Sequence, residues 1–260
     1  MPELPEVEIF KRDADRAVLH KRIRRIRILD ASLLKGISAR RFTAVACDRR
    51  IVASRRHGKY LGLGLDQGSW IMLHFGMTGA LAIVARQRDL PRYARLILDL
   101  EDCCRIAYVS QRKFGMITAV DDFDTFIESK HLGPDALEID TSMCRARLRK
   151  RRGAAKSALM NQSMIAGIGN IYSDEILFQA RIRPTRPMNT LSDAELRTLC
   201  RSLHRVLRIA IERHGNPDKM PRTWMLPRRK KDGQCPHCGQ SFVMLRTGGR
   251  HAYYCPTCQS

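Results

Sequence analysis

The sequence predicts an α+β fold in which an N-terminal antiparallel β-sandwich with flanking helices precedes a helical domain and a short terminal β-hairpin. Short β-rich runs punctuated by glycines fill residues 22–120, which is typical of a sandwich. After about residue 132 the apolar residues recur at helical spacing, and the chain finishes with two Cys-x-x-Cys pairs. We therefore expect three parts, at residues 1–131, 132–228 and 229–260.

The charge predicts a polyanionic partner. The 260 residues include 47 Lys and Arg against 26 Asp and Glu, a net charge of +21. Nucleic acid is the first candidate, because phosphate contacts release counterions. An anionic membrane surface is the alternative, but the basic residues are spread along the chain rather than concentrated in one amphipathic helix.

The number of cysteines and the length of the apolar stretches predict the cellular compartment of the protein. The most apolar stretch, residues 71–85, is too short to span a bilayer, and no signal peptide is predicted. Nine cysteines, an odd number, argue against a secreted disulfide framework. We expect a reducing, cytoplasmic location.

The N-terminal elements follow from periodicity. Residues 5–20 carry Val7, Phe10, Ala14 and Val18 at helical spacing, so a helix should pack one face inward just after Pro2. Strands are expected at residues 22–29, 60–65, 70–75, 80–84, 96–100 and 106–109.

The clearest helix in the C-terminal half is residues 193–213. Ser192 and Glu195 form a capping box before it, and Gly215 ends it. A glycine-rich turn around Gly167 and Gly169 lies between two earlier helical stretches. Such glycines permit a phosphate to approach the backbone, with Asn170 as a further donor, although a lone Gly-x-Gly is a weak signal.

The strongest local motif is a pair of cysteine knuckles, formed by Cys235, Cys238, Cys255 and Cys258. Sixteen residues separate the two pairs, the spacing at which four thiolates bind one structural Zn²⁺. The intervening residues read as strand, turn and strand, with Arg250 near the tip. The zinc is either purely structural or part of a binding surface. The other cysteines, Cys47, Cys103, Cys104, Cys144 and Cys200, are expected to be small buried apolar residues.

Pro2 directly follows Met1, and removal of Met1 would expose a secondary amine. An α-amino group has a pKa of about 7.7 to 8.0, so part of it is neutral and nucleophilic near pH 7. The alternative is an incidental proline in the first turn of a helix.

Several separated stretches together resemble the formamidopyrimidine-DNA glycosylases of the Fpg/Nei group. They are PELPEV at 2–7, HGKYL at 57–61 with HFGMTG at 74–79, RKFG at 112–115, LGPDAL at 132–137, AGIGNIYSDEILF at 166–178, and the terminal cysteine motif. The resemblance implies a helix-two-turn-helix element and a zinc-finger hairpin. It also implies a monomeric, nucleoid-associated enzyme that acts on damaged double-stranded DNA as a glycosylase and abasic-site lyase.

The resemblance also assigns roles to residues. Pro2 would be the Schiff-base nucleophile of a β,δ-elimination, Glu3 would move protons, and Lys59 would contact a phosphate and assist elimination. Three side chains, Met77, Arg112 and Phe114, would fill the gap left by an extruded base. Phosphates would be contacted by Lys150, Lys156, Asn170 and Arg250, and Arg250 is also counted among the catalytic residues. His74 would be a further DNA contact.

Alternatives remain at this stage. Leu4 resembles the formamidopyrimidine branch, where the endonuclease VIII branch usually has glycine, so an endonuclease VIII-like glycosylase for oxidised pyrimidines is one alternative. A non-catalytic, zinc-stabilised lesion-binding protein is another, and an RNA-binding zinc ribbon would leave the N-terminus unexplained. Residues 214–231, which should include the loop closing over the extruded base, are short and unlike the family pattern.

Overall fold

The computed structural model describes residues 1–84 and 90–260, which form two compact units. The N-terminal unit comprises Met1–Pro2 and Glu6–His131, and the C-terminal unit comprises Glu3–Pro5 and Leu132–Ser260. In the described ranges, no helix is both long and apolar enough to cross a membrane.

The N-terminal unit contains two four-stranded sheets. In one, β1 (Ile23–Ile28), β6 (Ala94–Leu100), β7 (Arg105–Ser110) and β5 (Gly79–Val84) lie in that order. In the other the order is β2 (Ile51–His57), β3 (Tyr60–Leu65), β4 (Trp70–His74) and β8 (Met116–Val120). Every strand pair in both sheets is antiparallel.

The core of this unit lies between the sheets and under its helices. Leu61, Leu63 and Leu73 of one sheet share a buried cluster with Leu98 and Ile106 of the other. Helices α1 (Leu4–Val18) and α2 (Ala39–Ala46) add Val7, Ala14 and Phe42 to it, and α3 (Phe123–Ser129) follows β8. The α+β fold with an antiparallel sandwich is confirmed.

Several elements of this unit escaped the sequence analysis. Strand β2 carries Ser54, Arg55 and Arg56, and no strand was predicted over this polar run. Ion pairs from Arg55 to Asp124 and from Arg56 to Glu8 allow those arginines to lie in a strand. Strand β8 and helix α2 were also not predicted.

The C-terminal unit is helical up to its terminal hairpin. Its helices are α4 (Thr141–Arg149), α5 (Ala155–Met160), α6 (Asn170–Gln179) and α7 (Asp193–Glu212). The capping box of Ser192 and Glu195 is confirmed at the start of α7, and Leu196, Leu199, Leu203 and Val206 form its buried stripe. The glycine-rich turn lies between α5 and α6, as expected for a helix-two-turn-helix element.

The terminal hairpin pairs β9 (Val243–Thr247) with β10 (Arg250–Tyr254). Gly248 and Gly249 form its two-residue turn, both with positive φ, +54° and +72°, which glycine adopts without strain. Arg250 therefore lies beside the tip, as predicted.

The prediction of five buried apolar cysteines is wrong for most of them. Cys144 of α4 and Cys200 of α7 are buried but joined in a disulfide. Cys103 is exposed, and Cys47 and Cys104 are half-buried. The pairing had no sequence signal, because 56 residues separate Cys144 from Cys200.

Candidate functional site

Glu3 is completely buried in the C-terminal unit, although it is the third residue of the chain. Its carboxylate accepts hydrogen bonds from the backbone N–H groups of Gly169 (2.7 Å), Ile171 (2.8 Å) and Tyr172 (3.3 Å). These are orphan donors at the N-terminus of α6, where the helix dipole favours a negative charge. Residues 3–5 are thereby held to α6 within the C-terminal unit, and the Leu4 N–H donates a hydrogen bond to the Gly167 carbonyl (3.1 Å).

The two glycines of the turn are needed for this approach. A Cβ on Gly169 would lie 2.3 Å from Cδ of Glu3, and one on Gly167 would lie 2.4 Å from a methyl of Leu4. From sequence, these glycines permit a phosphate to approach the backbone, which is a weak signal. In the structure the chain's own Glu3 carboxylate takes the amide groups instead.

Lys156, predicted as a phosphate contact, has no exposed surface. Its ammonium lies 2.5 Å from a carboxylate oxygen of Asp174 and donates to the carbonyl of Asn170 (3.0 Å). Burial lowers the pKa of Lys156, and the nearby Asp174 carboxylate opposes that change. In this arrangement Lys156 supports Asn170 from within the unit.

Asp174 connects four parts of the C-terminal unit. Besides Lys156 of α5, its carboxylate accepts hydrogen bonds from Nε of Arg229 (2.9 Å) and from the backbone N–H of Tyr253 (3.2 Å) in the hairpin. The Arg229 guanidinium also lies over the Tyr253 ring, 4.9 Å from its centroid. Sequence analysis missed Asp174 and Arg229. Their only available signal was the position of Asp174 in the AGIGNIYSDEILF stretch.

Residues 214–231 are anchored to the C-terminal unit by three buried side chains, although much of the segment is exposed. Met220, Trp224 and Met225 are buried, between two short 3₁₀ turns. The N–H of Leu226 donates to the buried Glu175 carboxylate (2.7 Å), and Arg229 binds Asp174 as described. These contacts tie residues 220–229 to the C-terminal unit.

In the N-terminal unit, Lys59 lies in the two-residue turn between β2 and β3. Gly58 adopts φ +56°, as the first position of such a hairpin turn requires, and His57 pairs with Tyr60 across it. Lys59 and Pro2 are both half-buried, so each side chain retains solvent access.

His74, at the end of β4, is close enough to Lys59 for the lysine charge to affect its pKa. Burial, with a smaller effect of the Lys59 charge, lowers the pKa of His74 from 6.5 to about 4. Its Nδ1 accepts a hydrogen bond from the Gly76 N–H (3.3 Å), which leaves the proton of the neutral ring on Nε2. At neutral pH the His74 ring is therefore uncharged and can donate a hydrogen bond from Nε2.

Met77, Arg112 and Phe114 come from two loops that pack against each other. The N–H of Arg112 donates to Thr78 Oγ1 (3.1 Å), and a Cβ on Gly76 would lie 2.4 Å from the backbone of Phe114. Met77 is 37% exposed and Phe114 58% exposed, while the Arg112 guanidinium lies 5.0 Å from the Phe114 ring centroid. Two exposed apolar side chains and one guanidinium thus project from adjacent loops.

Lys113 connects the Phe114 loop to Asp30 through an ion pair. This residue has φ +57°, and its ammonium pairs with Asp30 at 2.7 Å. The Lys113 contact is the largest cause that lowers the pKa of Asp30. Asp30 and Lys113 therefore support the loop, and neither was predicted.

The four cysteines of the hairpin region fit one zinc ion. Their Sγ atoms all lie within 4.8 Å of one another, with Cys238 and Cys255 3.5 Å apart and Cys235 and Cys258 3.8 Å apart. A tetrahedron with Zn–S bonds of about 2.3 Å places its sulfurs about 3.8 Å apart. His237 stacks on Phe178 and is not one of this group.

The remaining predicted contacts lie in the C-terminal unit. Lys150 is exposed at the end of α4, and Arg250 is exposed beside the hairpin tip. Asn170 is half-buried at the start of α6, and its side-chain oxygen has no hydrogen-bond partner in the described residues.

Comparison with known proteins agrees with this arrangement. Residues 1–117 match the formamidopyrimidine-DNA glycosylase N-terminal domain, residues 132–220 its H2TH domain, and residues 234–260 the zinc finger found in FPG and IleRS. The formamidopyrimidine-DNA glycosylase of Pelotomaculum thermopropionicum is 33% identical, over 100% of this chain and 99% of that protein. That of Thermomicrobium roseum is 35% identical, over 100% and 99%.

Solved structures also show similarity to formamidopyrimidine-DNA glycosylases. The Lactococcus lactis Fpg in complex with DNA containing an abasic site superposes with a TM-score of 0.89 at 25% identity, over 99% of each chain. The same enzyme with DNA containing FAPY-dG gives the same score, identity and coverage.

Proposed function

Because this chain belongs to the formamidopyrimidine-DNA glycosylase family, and is thus a base-excision repair glycosylase and abasic-site lyase, we propose that it removes oxidised purines with Pro2 as nucleophile. The substrates are formamidopyrimidine and 8-oxoguanine lesions in double-stranded DNA. The strongest structural support is the projection of Met77, Arg112 and Phe114 from adjacent loops.

The reaction begins with a neutral secondary amine. Once Met1 is removed, the Pro2 nitrogen attacks C1′ of the damaged nucleotide, and the C1′–N bond to the base breaks as the base takes up a proton. The nitrogen loses its own proton, and its lone pair then forms the C1′=N double bond of an iminium as the C1′–O4′ bond breaks and O4′ takes up a proton. Loss of a C2′ proton then expels the 3′ phosphate, and a second elimination expels the 5′ phosphate, which together constitute β,δ-elimination.

Glu3 and Lys59 assist these steps. Glu3 follows Pro2 directly in the chain, and its anchored carboxylate relays protons during ring opening. Lys59, at a turn with solvent access, contacts a phosphate and stabilises it as a leaving group. Its positive charge also favours the neutral form of a nearby amine.

Base extrusion requires that the vacated space be filled. Met77 and Phe114 occupy the gap with apolar surface, and the Arg112 guanidinium donates hydrogen bonds to the unpaired base. These contacts offset part of the free energy that unstacking the damaged base costs, roughly a few kcal/mol.

Phosphate contacts hold the duplex in register. We assign them to Lys150, Asn170 and Arg250, with His74 as an uncharged donor. Lys156 acts on DNA only indirectly, because it holds the Asn170 carbonyl. One zinc ion held by the four cysteines would stabilise the hairpin that carries Arg250.

The chain works as three parts, the catalytic domain at 1–131, the helix-two-turn-helix domain at 132–228 and the zinc-finger hairpin at 229–260. We propose that it acts as a monomer in the cytoplasm, associated with the nucleoid.

A lesion panel tests this function. Duplexes with 8-oxoguanine, formamidopyrimidine, an oxidised pyrimidine or no lesion are incubated with the protein, and the product ends are analysed by electrophoresis. We expect the purine lesions to be excised fastest, with phosphates at both ends of the gap. Preferred excision of the oxidised pyrimidine would instead support the endonuclease VIII-like alternative, and no excision of any lesion would contradict the proposal.

A further inference from the structure

A surface cavity of about 530 Å³ lies beside α4 in the C-terminal unit. Its volume falls in the range of about 300 to 1,000 Å³ that is typical of ligand-binding sites. The cavity combines basic and apolar walls, and the residues that line it are Met143, Ala146, Arg147, Lys150, Arg151 and Met164.

The basic residues of this cavity have no acidic partners. Elsewhere on α4, Arg145 and Arg149 both pair with Asp193. No such ion pair is found for Arg147, Lys150 or Arg151 in the ranges that the structure describes. Three cations therefore surround the cavity with their charges uncompensated by the protein.

Met164 contacts both arginines of the cavity. Nη1 of Arg147 donates to the Met164 carbonyl (3.5 Å), and Nε and Nη2 of Arg151 lie 2.9 and 2.7 Å from its sulfur. A guanidinium fixed in advance loses less conformational entropy when it binds an anion. The contacts with Met164 favour positions of both guanidinium groups beside the cavity.

The apolar part of the cavity is the feature that phosphates do not explain. Met164 is buried at the floor, whereas Met143 is 45% exposed. Met143 and Arg147 lie four residues apart and thus on one face of α4. The phosphates of a DNA backbone supply negative charge, but Met143 calls for an apolar partner as well.

The helix that carries this surface is firmly anchored. Cys144 and Leu148, about 100° round α4 from Met143 and Arg147, are completely buried in the core of the unit. The disulfide to Cys200 also joins α4 to α7. Met143 and Arg147 are therefore presented on a rigid element rather than on a loop.

We propose that this cavity binds a short acidic peptide segment of a partner protein. An apolar side chain of the peptide lies against Met143 and Met164, while carboxylates on either side of it bind Arg147, Lys150 and Arg151. The site is distinct from the residues assigned to base excision, apart from Lys150, which is also a predicted phosphate contact.

Fluorescence anisotropy of the full-length protein tests the proposal. The probe is a labelled peptide with two acidic residues on each side of a phenylalanine, and the controls carry alanine for the phenylalanine or lysines for the acids. We expect only the first peptide to bind tightly. Met143→Ala and Arg147→Ala should each weaken it by about tenfold or more, and Arg197→Ala, at an exposed position on α7, should not change it.

The affinity of the same variants for a duplex with an abasic-site analogue separates a peptide site from a DNA site. Unchanged duplex affinity in Met143→Ala and Arg147→Ala supports the peptide site. An equal loss of duplex affinity would assign the cavity to DNA and overturn the proposal. Failure of the acidic peptide to bind, or binding that both substitutions leave unchanged, would also overturn it.

Discussion

Replacement of Asp174 by alanine should strongly destabilise the C-terminal unit. Asp174 and Lys156 are both completely buried, and the Asp174 carboxylate also binds Arg229 and the Tyr253 N–H. Alanine would leave the Lys156 charge buried without its partner. Breaking a buried ion pair in this way costs about 3 to 5 kcal/mol.

Urea unfolding measures this cost. Trp224 is buried in the C-terminal unit and Trp70 lies in the N-terminal unit, so a Trp70→Phe background isolates the relevant fluorescence. With a urea dependence of about 2 kcal/mol/M, the midpoint should fall by about 1.5 to 2.5 M. Asp218→Ala, at an exposed site, is the control and should change stability by less than about 0.5 kcal/mol.

A double-mutant cycle with Lys156→Met tests the assigned cause. Because Lys156→Met leaves Asp174 with Arg229 and Tyr253, it should cost less than Asp174→Ala. The double variant should be more stable than the sum of the single effects predicts, by about 0.5 to 3 kcal/mol. Additive effects, or a midpoint shift below about 0.5 M in Asp174→Ala, would refute the reasoning.

Three further predictions concern the same unit. Gly169→Ala should displace the Glu3 carboxylate, because the new Cβ would lie 2.3 Å from Glu3 Cδ. The free energy of unfolding should fall by about 1 to 3 kcal/mol. Gly153→Ala, whose Cβ would have no atom within 4 Å, is the control, and equal effects of the two substitutions in urea unfolding would contradict the explanation. Burial raises the pKa of the Glu175 carboxyl from 4.5 to about 7. Since the folded state binds this proton more tightly, the free energy of unfolding should fall by about 3 kcal/mol as pH rises from 4.5 to 7 and then level off. Glu175→Gln should flatten this pH profile in urea unfolding. An unchanged slope in that variant would exclude Glu175 as the cause of the pH dependence. Chelation of zinc, or Cys255→Ser, should abolish duplex binding in anisotropy while circular dichroism shows that the N-terminal unit remains folded; unchanged affinity would contradict a role for the hairpin.

Local sequence patterns predicted the elements that depend on local physics. The α7 helix was found because its capping box and apolar stripe lie within one continuous segment. Most sandwich strands were found because β-rich residues alternate with glycine turns. Strand β2 was missed because its arginines suit an exposed surface until Asp124 and Glu8, distant in sequence, neutralise them.

The site was harder to predict where its contacts are distant in sequence. Nothing near Glu3 indicates that its partners lie at Gly169 and Ile171, more than 160 residues away. The resemblance identified Lys156, but only the position of Asp174 explains how a lysine is accommodated without solvent. In the same way, residues 214–231 resembled an atypical loop until Trp224 and Met225 were found in the core.

Borohydride trapping with peptide mapping tests the central claim, that Pro2 is the nucleophile, most directly. The protein is reduced with borohydride on a duplex that contains 8-oxoguanine or an abasic site, digested, and analysed by mass spectrometry. We predict a covalent DNA adduct on the nitrogen of residue 2, only in molecules that have lost Met1, and little or no adduct in Pro2→Gly. An adduct on a lysine peptide, or equal trapping in protein that retains Met1, would contradict the mechanism.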